Sequence, residues 1–291
     1  MGRTVLGIIG GSGLYELEGL EHTRWESVPS SFGAPSDALL FGELSGVELV
    51  FLPRHGRGHV LAPSEINYRA NVDALKRAGV TDLISISACG SLREDLHPGH
   101  FVLVDQFVDR TFARDKSFFG RGLVAHVSMA RPVCPKLVDT LARAAEAERL
   151  VYRRGGTYVV MEGPQFSSLA ESNLYRSWGC DVVGMTNMPE AKLAREAELP
   201  YATVAMVTDY DCWHPDHDHV DVANIIRVLN ENVAQARALL KRVVPMLGPE
   251  RTPSPAFIER ALDNAIITAP AARDPARVEQ LRAIAGRVLR A

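Results

Sequence analysis

The sequence predicts an α/β fold: a single domain on a twisted, mixed β-sheet flanked by helices, followed by a C-terminal helical tail. Three observations carry that reading. Short apolar, β-branched runs at residues 5–9, 47–52, 83–87, 101–104, 158–161, 182–185 and 202–208 alternate with helical patterns, as in a largely parallel sheet covered on both faces. Residues 39–44 and 47–52 are joined only by Ser45-Gly46, which reads as a hairpin and makes the sheet mixed. A cluster of turn formers, Gly248-Pro249 through Pro253-Ser254-Pro255, divides a body of residues 1–247 from a tail of residues 248–291.

Taken in order, residues 5–9 run straight into Gly10-Gly11-Ser12-Gly13, a strand followed by a tight turn. Residues 64–78, 135–148, 167–178, 189–198 and 220–243 repeat apolar side chains at helical spacing and fill the intervals between strands. In the tail, Phe257, Ala261 and Leu262, then Val278, Leu281, Ile284 and Val288, form apolar stripes that need burial on the same domain or a neighbouring subunit.

Composition narrows the function. A chain of 291 residues with 46% apolar and 23% charged side chains suits a folded cytosolic protein. A net charge of -3 with scattered Lys and Arg argues against a nucleic-acid partner. No apolar stretch approaches the roughly 20 residues that span a bilayer, and the N-terminal run reads as a strand rather than a cleavable signal. Cys89, Cys134, Cys180 and Cys212 lie far apart without C-x-x-C spacing, which fits reduced thiols in a cytoplasm.

Three tracts concentrate hydrogen-bond donors where an α/β sheet presents ligands. In Gly10-Gly11-Ser12-Gly13 the glycines can aim N–H groups at an anion and Ser12 adds a hydroxyl, although a structural turn reads nearly as well. A dinucleotide fingerprint fails because Glu16 stands where the third Gly is required. In Pro53-Arg54-His55-Gly56-Arg57-Gly58-His59, Arg54 supplies a fork matched to phosphate and His55 one more donor. A rival reading of this tract is a phosphatase with a phosphorylated histidine, but Arg57 follows Gly56 directly and the motif comes late. The tract from Ser85 to Leu92, with Ser87, Ala88 and Cys89-Gly90, permits close backbone approach or, equally, a tight strand-to-helix turn.

A second set points to a purine. Asp209 and Asp211, in Thr208-Asp209-Tyr210-Asp211-Cys212-Trp213, stand at a strand's C-terminal end, where isolated paired acids are more often solvated or helix-capping than catalytic. A protonated carboxyl there can donate to N7 while an acceptor takes the 6-amino hydrogens, which is general acid catalysis of base departure. Phe166 offers a flat face for a base or a staple before the next helix, and Met185 a soft wall or core filler. His214-Pro215-Asp216-His217-Asp218-His219 mixes imidazole and carboxylate, yet its spacing matches no standard ligand set, so a substrate-gating lid is preferred and no metal is expected.

The ordered tracts IIGGSGLYEL, PRHGRGH, NYRANVDALK, ACGSLRE, DQFVDRT, EGPQFSSLAES, GMTNMPEA and TDYDCW resemble the trimeric purine nucleoside phosphorylase family, over about residues 5–247. The resemblance implies a nucleoside phosphorylase-like fold and a homotrimer with no cofactor, inorganic phosphate being a co-substrate. It places phosphate on Ser12, Arg54, His55, Ser87, Ala88 and Thr186, and ribose on Met185. Asp209, the catalytic residue, and Asp211 read the base beside Phe166. Acids there suit a 6-amino purine, so the expected substrate is a 5'-methylthioadenosine-like nucleoside, with adenosine, inosine or methylthioinosine as alternatives. Ser167 and Val222 match positions that set this specificity, Val222 as an apolar wall, and His126 resembles a residue that such trimers lend to a neighbour's 5' pocket.

Overall fold

The computed structural model describes residues 2–11, 13–215 and 222–289. Among these, eleven strands join one sheet. They are β1 (Val5–Gly10), β2 (Glu21–Glu26), β3 (Leu39–Leu44), β4 (Val47–Pro53), β5 (Asp82–Ser91), β6 (Phe101–Val104), β7 (Gln106–Asp109), β8 (Tyr152–Arg154), β9 (Thr157–Val160), β10 (Val182–Gly184) and β11 (Tyr201–Asp209). The main helices are α1 (Tyr68–Arg77), α2 (Pro135–Ala147), α3 (Leu169–Ser177), α4 (Asn187–Glu196) and α5 (Val222–Leu247), with α6 (Ala256–Glu259), α7 (Pro275–Gln280) and α8 (Arg282–Leu289) in the tail.

β5 organises the sheet. It runs parallel to β1 on one side and β11 on the other, and β1 is parallel to β4 in turn. Its last residues, Gly90 and Ser91, then pair antiparallel with β10. β10 therefore runs back along the C-terminal end of β5, the end to which the parallel strands β1, β4 and β11 also point. The expected turn after residue 87 is therefore strand, because β11 pairs with β5 as far as Gly90. The 39–52 hairpin forms as β3 and β4.

Burial follows the sequence pattern. β1 is buried throughout, and its Leu6, Ile8 and Ile9 pack with Leu49, Phe51, Ile84 and Val204 in one core; each such side chain contributes about 1.5–3 kcal/mol. β2 is the opposite case: Glu21, His22, Thr23, Arg24, Trp25 and Glu26 are all exposed, on a charged edge that discourages further pairing.

Helix ends depend on local chemistry. α1 begins at Tyr68 rather than 64 because the Asn67 side chain accepts the Ala70 N–H. A Ser168–Glu171 capping box starts α3. After α5, Gly248 takes φ 70°, a left-handed conformation that ends a helix at little cost to glycine. The tail's Leu262, Leu281 and Ile284 enter the same core as the body, and Arg287 of α8 pairs with Glu198. Phe257, expected in a buried stripe, stays 39% exposed under the Arg195 guanidinium, since α6 has only one turn and buries Ile258 instead.

Candidate active site

Arg54 leaves the end of β4 and turns inward, fully buried. Its Nε donates to Glu190 of α4 at 2.9 Å, Nη2 to Ser85 Oγ at 2.6 Å and Glu190 Oε1 at 3.3 Å, and Nη1 to Ile86 O at 3.2 Å. Burial opposes its charge, and Glu190 more than restores it. Four of the five N–H groups of a guanidinium are thereby engaged, and Nη1 keeps one for an outside acceptor. Arg57 of the same tract pairs with Asp37 at 2.9 Å and leaves this cluster.

His55 corrects an expectation. Its Nδ1 lies 2.8 Å from Leu61 O, which can only accept, so Nδ1 carries the proton. Burial, then Arg54, His59 and Arg114, lower its pKa to about 4, leaving a neutral ring. Nε2 thus presents a lone pair: toward an anion His55 accepts from a protonated oxygen rather than donating.

Ser87 donates to Asn187 Oδ1 at 2.9 Å and lies 3.3 Å from the Tyr158 hydroxyl. The two protons of Asn187 Nδ2 are shared among Ser85, Tyr201 and Thr203, all within hydrogen-bond reach, so β5, β11 and the start of α4 are tied beneath Ser87 and the partly exposed Ala88. Thr186 precedes α4, and its side chain makes no capping bond.

Arg114 joins the neighbouring strand ends. Nη1 donates to Met185 O at 2.6 Å and Met188 O at 2.7 Å, and Nη2 to Glu162 O at 2.6 Å. The Glu162 carboxylate accepts the Phe112 amide at 2.6 Å and is bonded by Ser64. Although burial pushes its pKa up, Ser64, these amides and Arg114 hold it below the ordinary value. This clamp fixes the backbone around Met185, whose Sδ would lie 2.6 Å from a Cβ on Gly163.

The second cluster forms where β11 bulges between Val207 and Asp209, a distortion that re-aims side chains. Asn232 of α5 supports the bulge by donating to Val207 O at 3.0 Å. Asp209 Oδ2 accepts the Thr208 hydroxyl at 2.7 Å and Oδ1 the Asp211 N–H at 2.8 Å. Gly90 makes the room: a Cβ there would meet Asp209 Oδ1 at 2.9 Å and Asp211 N at 3.2 Å. Burial raises the pKa of Asp209 and of Asp211. Asp211 Oδ2 is buried without a well-formed hydrogen bond among the described residues, and the Ser172 and Ser167 hydroxyls beside this carboxyl work against the rise. Cys212 Sγ donates to Ser167 O at 3.3 Å, which brings Ser167 to this cluster.

Ser12 lies outside the described residues, as do residues 216–219. Val222 opens α5, but its side chain is not among those described. Phe166 is 47% exposed, and His126 is exposed with its amide donating to Ala265 O. His214 Nε2 lies 3.0 Å from Glu94. Among the described residues no three His, Cys, Asp or Glu side chains gather as metal ligands, and no helix is long and apolar enough to cross a membrane.

Sequence reasoning missed Glu190, Asn187, Arg114 and Thr208. The usable signal for the first two was an acid and an amide on the helix that follows a donor-rich strand end.

With strand ends that carry a buried guanidinium and a pair of acids, one buried and one half-buried, the chain belongs to the phosphorylase superfamily, whose profile matches residues 5–245. Its relatives include the S-methyl-5'-thioadenosine phosphorylases of Rhodospirillum rubrum, 64% identical over 99% of this chain and 98% of that one, and of Bradyrhizobium diazoefficiens, 63% identical over the whole of both. The crystal structure of a methylthioadenosine phosphorylase from an antarctic soil metagenomic library superposes with a TM-score of 0.91 at 45% identity, covering 98% of this chain and 99% of that one. Methylthioadenosine phosphorylase from Schistosoma mansoni in complex with adenine gives 0.79 at 39% identity, covering 85% and 93%.

Proposed function

We infer that this chain phosphorolyses S-methyl-5'-thioadenosine to adenine and 5-methylthioribose 1-phosphate, a pentosyl transfer that serves purine and methionine salvage. Phosphate sits on Arg54, His55, Ser87, Ala88, Thr186 and Ser12, with Met185 against the ribose. A phosphate oxygen bonds to C1' as the C1'–N9 bond breaks, and the bond's electron pair passes into the purine. Asp209 gives its proton to N7, and Asp211 Oδ2 accepts from the 6-amino group. Phe166 covers the base, and Ser167 and Val222 shape the pocket for the base and the methylthio end.

The observation that carries this reading is the pair of acids set against Gly90 on β5, the strand whose Ser85 and Ile86 also hold Arg54. A carboxyl whose pKa is raised by burial is suited to donate a proton near neutral pH. The chemistry calls on no metal or organic cofactor. The protein works in the cytoplasm as a homotrimer, to which His126 contributes across the interface; exposed Phe112, Phe166 and Leu169 leave apolar surface near the site for such an interface.

A panel of methylthioadenosine, adenosine, inosine and methylthioinosine tests the substrate. Methylthioadenosine should give the highest kcat/KM and the 6-oxopurines at least about tenfold lower values, because an acceptor-only carboxylate cannot bond O6. Equal turnover of inosine would sink the assignment.

A further inference from the structure

Thr208 has one hydroxyl proton and two acceptors within reach. It is 2% exposed on the β11 bulge, with Oγ 2.7 Å from Asp209 Oδ2 and 3.2 Å from Cys89 O on β5. A hydroxyl donates to one of these at a time, and turning about its C–O bond is a small motion that moves no backbone.

We propose that Thr208 is a positioning residue that switches its hydroxyl from Cys89 O to Asp209 Oδ2 as Asp209 delivers its proton to the purine. The inference rests on the reading of Asp209 as the acid. While Asp209 is neutral, the hydroxyl bonds Cys89 O and leaves the carboxyl proton for N7. As that proton leaves, charge grows on the carboxylate and the hydroxyl turns to meet it, a stronger charge-assisted bond. Oδ1 keeps the Asp211 N–H throughout.

The switch matters because neither carboxyl has an ion-pair partner among the described residues. Among the described residues, the titratable groups facing Asp209 are Asp211 on the same loop and the Cys89 thiol on β5, whose pKa is pushed well up by burial and then by Asp209 itself. Neither offers a cation to the new carboxylate, so the Thr208 hydroxyl and the Asp211 amide are its local stabilisers.

Thr208→Val removes the hydroxyl at nearly constant shape. Because the hydroxyl favours the ionised form, the variant should hold its proton to higher pH and release it less readily. We expect kcat to fall about tenfold and the alkaline limb of the kcat profile to move up by about half a unit or more. Thr208→Ser should restore both, and thermal unfolding should show that the Val variant is folded. A Val variant with wild-type kcat and pH profile overturns the switch, as does a Ser variant impaired as much as the Val variant, which would show that a hydroxyl at this position does not restore the function. Asp209→Asn separates the two claims: its undiminished activity would remove the acid itself, whereas a large loss beside an unchanged Thr208→Val variant would fault the switch alone.

Discussion

The two halves of the site handle charge in opposite ways. On the side assigned to phosphate, the guanidinium of Arg54 is paired with Glu190 and held by Ser85 and Ile86 before any ligand arrives. On the side assigned to the base, Asp211 is buried and Asp209 half-buried, and among the described residues neither has a cation beside it. The first arrangement is a guanidinium held rigidly in place, which costs little to reorganise when an anion binds. The second keeps an acid undersolvated, which favours the neutral form that a proton donor needs.

The largest effect should come from breaking the first half. Glu190→Gln leaves a buried Arg54 charge unpaired and should cost about 3–5 kcal/mol of stability, partly recovered in millimolar phosphate; thermal unfolding with and without phosphate checks this. An unchanged melting temperature would show that the pair does not hold this side together. Next, Gly90→Ala places a methyl against Asp209 and Asp211 and should lower kcat by roughly 10–100-fold, the cost of about an ångström of misplacement, while phosphate KM stays near wild type. A rise in phosphate KM with kcat unchanged would mean that the halves are not separable.

Smaller effects test the connections. Arg114→Lys keeps the charge but cannot serve Met185, Met188 and Glu162 together, so KM for nucleoside and phosphate should both rise about tenfold or less. The smallest effect is on pH and stability. The pKa of His55 is about 4 when folded, below its unfolded value of about 6.5. The unfolded chain therefore binds the proton more readily in that window, and stability is lost as pH falls from about 6.5 toward 4. His55→Gln should flatten that decline, measured by unfolding at pH 7 and pH 5.

What the sequence revealed follows the same division. The strands that carry the site were legible because apolar, β-branched runs imply buried parallel pairing, and Arg54 and Asp209 were legible because each stands at such a run's end. β2, β7 and β8 were not: β2 is wholly exposed, and Gln106–Asp109 and Tyr152–Arg154 are short and polar, so no periodicity marks them. Glu190 and Arg114 read as ordinary charged residues because their partners lie 136 and 48 positions away along the chain. The tautomer of His55 depends on a carbonyl six residues on, held there by the turn from Gly56 to Val60. Tract order identified the family where local chemistry left each tract open.

The central claim is that phosphate, not water, is the nucleophile. Product analysis after limited turnover of methylthioadenosine tests it directly. Adenine and 5-methylthioribose 1-phosphate should form in equal amounts, with no adenine released when phosphate is omitted. Free methylthioribose accumulating with adenine, or adenine release independent of phosphate, would contradict it.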